Sequence, residues 1–269
     1  MFTLNDFRQI GREQRHRTRN PLIWIFTWLF GPIGIHSRIR AGHALKAIAQ
    51  LELPEEAAIL DAGSGRGLVL FLLAKHYPRY RLHGIEIDPE TVTSARAIAK
   101  HLQLSNLTFE LGDLKTCSIP TYAYDLVFSI DVLEHIVDDV AVLRRLHQAL
   151  KPNGYLVLHL PLRHQDQRRI FAAFRRHTID DHVRDEYTWD EIRVKLEATG
   201  FQVKSLTYGF GPSGELAFEL NWLFWNMFPL RAALAVLMYP ASWWCAYRDV
   251  KSNHERGNSM IITAQRLED

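Results

Sequence analysis

A short apolar run over residues 57–60 ends at Asp61-Ala62-Gly63-Ser64-Gly65-Arg66-Gly67, and an apolar segment of helical length, 68–77, follows at once. Three glycines at alternate positions between a buried strand and a helix constrain the fold more than any other feature. Glycine tolerates positive φ and carries no side chain, so backbone at such a turn can approach a ligand closely, and the helix start adds free N–H groups. The next apolar stretch, 81–87, reads as a second strand. It brings Glu86 about 20 residues past the glycines, where a βαβ unit sets a carboxylate beside a ribose. The pattern describes a nucleoside-binding site.

The departures from other glycine-rich turns narrow the ligand. A dinucleotide turn wants Gly-x-Gly-x-x-Gly or Ala, whereas Leu68 stands in the third small position, and the Gly-Lys-Ser/Thr of a phosphate loop is absent. Asp61 at the strand end would repel a phosphate and attract a cationic or amino-bearing ligand. These features favour S-adenosylmethionine, which carries a sulfonium and an ammonium and no phosphate.

The segment 61–67 resembles motif I of the class I S-adenosylmethionine-dependent methyltransferases, acidic-x-Gly-x-Gly-x-Gly. Later stretches follow the family order: Gly84-Ile85-Glu86-Ile87-Asp88-Pro89, Gly112-Asp113, then 124–135 with Asp131-Val132-Leu133-Glu134-His135, and Lys151-Pro152-Asn153-Gly154 before a strand. The form is close to that of quinone and small-molecule methyltransferases and covers roughly residues 40 to 208 plus a final strand. The resemblance implies that Glu86 holds the ribose hydroxyls and Asp113 lies near the adenine amino group. It extends the cofactor contacts to Asp61, Gly63, Ser64, Gly65, Gly67, Ile87, Gly112, Leu114, Ser129, Ile130, Asp131 and His135.

Strands and helices alternate as a doubly wound sheet requires, so the fold class is α/β: a Rossmann-like sheet of seven strands with an antiparallel last strand. Asp61, Glu86, Asp113 and 129–131 all fall at strand carboxyl ends, where such sheets bind ligands. Asp131 also reads as an N-cap of the helix that follows. Residues 1–52 are expected to form an N-terminal helical or interfacial segment. Residues 53–269 would be the methyltransferase domain, with an apolar helical insertion at 209–258 between strands 6 and 7.

Arg8, Arg12, Arg15, Arg17 and Arg19 precede an apolar, tryptophan-rich run at 21–35, which is shorter than the roughly 20 residues a spanning helix needs. It is suited either to the membrane interface, with its arginines on anionic lipid, or to packing on the domain. The insertion is apolar over 216–247, and Pro229, Arg231 and Pro240 are expected to break it into pieces too short to span. It reads as a lid over a lipophilic acceptor, as a membrane-dipping element across 212–247, or as a helical pair packed on the N-terminal run. On the helix expected over 36–51, Arg38, Arg40 and His43 are either solvated or within reach of the methionine carboxylate or a substrate acid.

The segment 161–190 is dense in charge and histidine and leaves a strand end above the site, so His164, His177 and His182 are candidate general bases, His164 and His182 foremost. No metal is expected, because helical His-x-x-x-His spacing is missing. A formal charge of +2 argues against a nucleic-acid partner, and two cysteines far apart make no disulfide framework. The expected location is cytoplasmic, with peripheral contact at the inner face of a membrane. Two rivals share the nucleoside site: a membrane-associated scaffold without turnover, and an NAD(P)-dependent reductase.

Overall fold

The computed structural model describes residues 29, 34–163, 170, 186–226 and 231–267, with the backbone alone over 223–226 and 231–236. Seven strands form one sheet: β1 (Ala58–Ala62), β2 (Arg81–Glu86), β3 (Leu107–Leu111), β4 (Tyr124–Ile130), β5 (Leu150–Pro161), β6 (Phe201–Gly209) and β7 (Ser259–Arg266). Their order is β3-β2-β1-β4-β5-β7-β6. The first five are parallel, and β7 lies antiparallel between β5 and β6. All of β1 is buried, as expected of a central parallel strand covered on both faces.

One face of the sheet packs against α1 (Ile35–Ile48), α2 (Leu68–His76) and α3 (Pro89–His101), through Leu45, Phe71 and Val92 among others. The other packs against α4 (Asp139–Ala149) and α5 (Trp189–Ala198), through Leu143, Leu146, Ile192 and Leu196. The helix starts follow local chemistry. Asp88 accepts the Thr91 amide ahead of Pro89, and Thr188 and Glu191 form a reciprocal capping box. Gly200, at φ +91°, ends α5.

Two expectations are corrected. Asp131 is no N-cap: a single 3₁₀ turn, Leu133–His135, follows it with Val132 at the cap position, and α4 is capped instead by Asp138 on the Ala141 amide. Pro240 does not stop a helix either. Between β6 and β7 stand α6 (Pro212–Asn226) and α7 (Arg231–Lys251), and α7 runs through Pro240. The proline is exposed, and the backbone bond it removes is offset by packing on the opposite side of the helix, where Tyr239 and Ala246 are buried.

Helices α6 and α7 pack on α1. Ile35 and Ile39 meet Phe210, Ala217, Tyr239 and Ala246 in a third apolar cluster. Asp249, fully buried on α7, ties this cap together: it accepts from the backbone amides of Phe210 and Gly214 at 3.1 and 3.0 Å and pairs with His43 of α1 at 2.9 Å. Of the 21–35 run only Leu29, Gly34 and Ile35 fall within the described residues, and Ile35 is buried. No helix among the described residues is long and apolar enough to cross a membrane.

Candidate active site

The glycine turn leaves β1 and is shaped by its neighbours. Gly63 and Ser64 both donate their amides to the Ile85 carbonyl at 2.9 Å, which locks the turn to β2. Gly63, Gly65 and Gly67 hold φ of +87°, +51° and +73°, a region side chains other than glycine rarely enter. A Cβ on Gly63 would lie 2.4 Å from Val132, and one on Gly67 2.5 Å from Phe109. A Cβ on Gly65 would meet nothing within 4 Å, so this glycine faces open space.

Two acidic residues stand at the strand ends beside this turn. Asp61 is buried in β1, and burial, with the Glu86 charge adding to it, pushes its carboxyl well above the usual carboxylate range. Glu86 ends β2 and is ordered by main-chain donors alone. Its Oε2 accepts from Gly65 at 2.8 Å, and its Oε1 from Ile87 and Asp88 at 2.9 and 3.0 Å. Beside it, the Ile87 side chain is 63% exposed, an apolar surface at a strand end. After β3, Asp113 accepts the Lys115 amide at 2.9 Å, and that bond leads the interactions that hold its carboxyl below the usual range. Gly112 precedes it, and Leu114 turns into the core.

At the ends of β4 and β5 the arrangement is made by side chains. Asp131, at φ +51°, accepts from His159 Nδ1 at 2.5 Å through Oδ1 and pairs with the Arg40 guanidinium of α1 through Oδ2. Burial alone would raise this carboxyl, but Arg40 and His159 outweigh it and hold it well below the usual range. Glu134 is buried on the 3₁₀ turn, and burial, then the Asp131 charge, pushes its carboxyl well up. His159 was not singled out from sequence, although it is the one titratable residue in the apolar run 156–160.

The structure therefore brings Asp61, Gly63, Ser64, Gly65, Glu86, Asp113 and Asp131 to one edge of the sheet. Ile130 ends β4 beside them, whereas the Ser129 hydroxyl is spent on the Ala62 carbonyl at 2.7 Å and His135 is exposed. His164, His177 and His182 lie outside the described residues. The three basic residues of α1 singled out from sequence are each engaged: Arg40 with Asp131, His43 with Asp249, and Arg38 with the Tyr239 hydroxyl.

A cavity of about 580 Å³ opens at the same edge, beyond β5 and β6. Leu162, Trp189, Tyr208, Phe210 and Pro212 give it apolar walls, and Arg256 and the Glu215–Asn258 pair add polarity.

A glycine cradle at the carboxyl ends of a doubly wound sheet, followed by acidic residues on successive strands, defines a nucleoside-binding domain of Rossmann-like type. The chain belongs to the methyltransferase-domain family, whose model matches residues 53–199. It is 31% identical over 122 residues to a trans-aconitate 2-methyltransferase of Variovorax paradoxus, covering 45% of each chain. It is 27% identical over 173 residues to a 2-methyl-6-phytyl-1,4-hydroquinone methyltransferase of Synechocystis, covering 62% of this chain and 53% of the relative. The chain thus spans about half the length of the curated relatives it matches. Among solved structures, phosphoethanolamine N-methyltransferase 2 of Haemonchus contortus in complex with S-adenosyl-L-methionine superposes with a TM-score of 0.63 at 18% identity, over 96% of this chain and 60% of that one. The cyclase SpnF gives 0.61 at 17% identity, over 84% and 81%. These two likenesses concern the fold.

Proposed function

We propose that the protein is an S-adenosylmethionine-dependent methyltransferase acting on a lipophilic acceptor that it meets at a membrane surface. The observation that carries the cofactor is the pairing of an open, side-chain-free approach at Gly65 with a buried acidic group, Asp61, whose carboxyl burial pushes up and which a bound cation would return to its ionised form. A nucleoside bearing positive charge fits both. The cofactor supplies a methyl group on a sulfonium, already a good leaving group, so the protein's task is mainly positioning.

Glu86, its oxygens pre-ordered by three backbone amides, is suited to accept two ribose hydroxyls without reorganising. Exposed Ile87 offers an apolar face to the base, and Asp113 a carboxylate at its edge. The turn residues 63–65 admit the amino-acid tail over the backbone. α1 covers the edge through Arg40 and so excludes water from the end of β4.

The cavity walls support a lipophilic acceptor, and the engagement of Arg38, Arg40 and His43 removes the cations that would have received an acidic one. The outer face of α7 supports membrane contact. Leu237, Trp244 and Tyr247 are exposed along it, with Arg248 stacked 4.9 Å over Trp244 and Lys251 4.7 Å over Tyr247. Apolar tip, aromatic belt and cations in that order match the depth profile of a bilayer interface. Arg256 in the cavity favours a second reading, an acidic acceptor such as that named for the trans-aconitate relatives.

The test is product detection by mass spectrometry, with an isoprenoid hydroquinone in anionic vesicles against trans-aconitate in solution. Methylation of the vesicle-borne hydroquinone, with cosedimentation that fails when 212–247 is replaced by a short loop, supports the proposal. Methylation of trans-aconitate alone, by protein that stays in the supernatant, overturns it.

A further inference from the structure

Two buried polar atoms without a hydrogen-bond partner among the described residues sit side by side at the site. These are Glu134 Oε2 and His159 Nε2, and both lie at the ends of β4 and β5, beside the Arg40–Asp131 ion pair. Leaving such atoms unpaired is costly, so a pair of them marks a place where a polar ligand atom is missing. Two residues flanking the pair, Asp131 and Phe210, hold φ of +51° and +50° although neither is glycine. Backbone of that kind is retained where a site needs it.

We propose that His159 is a catalytic base whose Nε2 takes the proton released by a hydroxyl acceptor during methyl transfer. This rests on the methyltransferase reading above. In the step, an electron pair of the acceptor oxygen forms the new O–C bond. The S–C bond breaks with its pair remaining on sulfur, which becomes neutral, and the O–H proton passes to Nε2 to give an imidazolium.

The geometry assigns the roles. Asp131 Oδ1 accepts from Nδ1 at 2.5 Å, so the neutral ring carries its proton on Nδ1 and presents a bare lone pair at Nε2. Arg40 keeps Asp131 ionised, which makes Asp131 and Arg40 positioning residues. Asp131 from the β4 end and His43 from α1 interact with this imidazole, and Arg40, His36 and Glu134 interact with Asp131. Its β7 neighbour, Ile261, is apolar. Phe210 lies 6.3 Å from the imidazole, centroid to centroid, and also lines the cavity, so base and acceptor cavity share one wall.

The experiment uses the whole protein with ¹⁵N-labelled histidine, without cofactor or acceptor, and His159→Gln to assign the signal. The neutral ring of His159 is expected as the Nδ1–H tautomer, and Asp131→Asn is expected to mix the tautomers. His159→Gln should bind S-adenosylhomocysteine within about twofold of wild type. On the acceptor found by product detection it should lose about 10²–10⁴-fold in kcat, together with the acid limb of the pH–rate profile. A neutral ring protonated at Nε2 in the wild type overturns the proposal, as does turnover of His159→Gln within about twofold at every pH. If the glutamine variant does not fold, His159→Asn replaces it, and the wild-type tautomer still decides. A wild type that binds no S-adenosylhomocysteine sinks the methyltransferase reading and the base with it, whereas one that binds it and fails either arm sinks the base alone.

Discussion

Glu86 and Asp131 end neighbouring parts of the same sheet edge, yet they are held in opposite ways. Glu86 is half-buried and fixed by backbone amides from its own turn and the glycine turn. Asp131 is buried between Arg40 and His159, side chains from an N-terminal helix and another strand. The first is a product of local chain geometry. The second exists only because α1, α6 and α7 close over the far half of the sheet. The β1–β3 half should therefore keep its ligand when the cap is disturbed, and the β4–β7 half should not keep its geometry.

Removal of Asp249 disturbs the cap most. The Asp249→Ala variant leaves buried His43 and the Phe210 and Gly214 amides without their acceptor. A loss of about 3–5 kcal/mol in unfolding free energy is expected in urea denaturation, because each buried donor left unsatisfied costs about 1–3 kcal/mol. Retention of cofactor affinity by the folded fraction would sharpen the contrast between the halves, and equal loss of both would break it.

Glu86→Ala is the reciprocal case. Charge-assisted bonds to ribose hydroxyls contribute roughly 1.5–3 kcal/mol, so calorimetry should show about a tenfold to hundredfold weaker affinity for S-adenosylhomocysteine with little change in stability. An unchanged dissociation constant in a folded variant would move the ribose contact elsewhere, Asp88 being the nearest alternative.

The same division explains what was legible beforehand. The glycine turn, Glu86 and the capping box at Thr188 could be read because each is dictated by residues a few positions apart. His159 could not, because its meaning depends on Asp131, which the sheet brings opposite it, and on Arg40, some ninety residues earlier than Asp131. Ser129 was read only as a contact implied by the resemblance, and the bond its hydroxyl makes to the Ala62 carbonyl depends on strand register that the sequence does not display. Pro240 was misjudged as a helix stop because a rule for isolated helices ignores the packing of Tyr239 and Ala246 against the cap.

A smaller effect concerns pH. Burial pushes the His43 imidazole below its ordinary value, and Asp249 only partly restores it. The unfolded chain therefore binds this proton more readily, so the stability His43 contributes is full above the ordinary histidine value of about 6.5 and is lost as pH falls through its lower folded value. Hydrogen exchange should show α6 and α7 loosening before β1–β3 as pH drops below about 6. Simultaneous loosening of both would mean that the cap is no separate unit.

The central claim is that the glycine turn and its acidic neighbours hold S-adenosylmethionine, and calorimetry on the intact protein tests it most directly. The account predicts saturable, one-to-one binding of S-adenosylmethionine and S-adenosylhomocysteine and none of NADH. Tight binding of NADH, with no heat from either sulfur nucleoside, would contradict it.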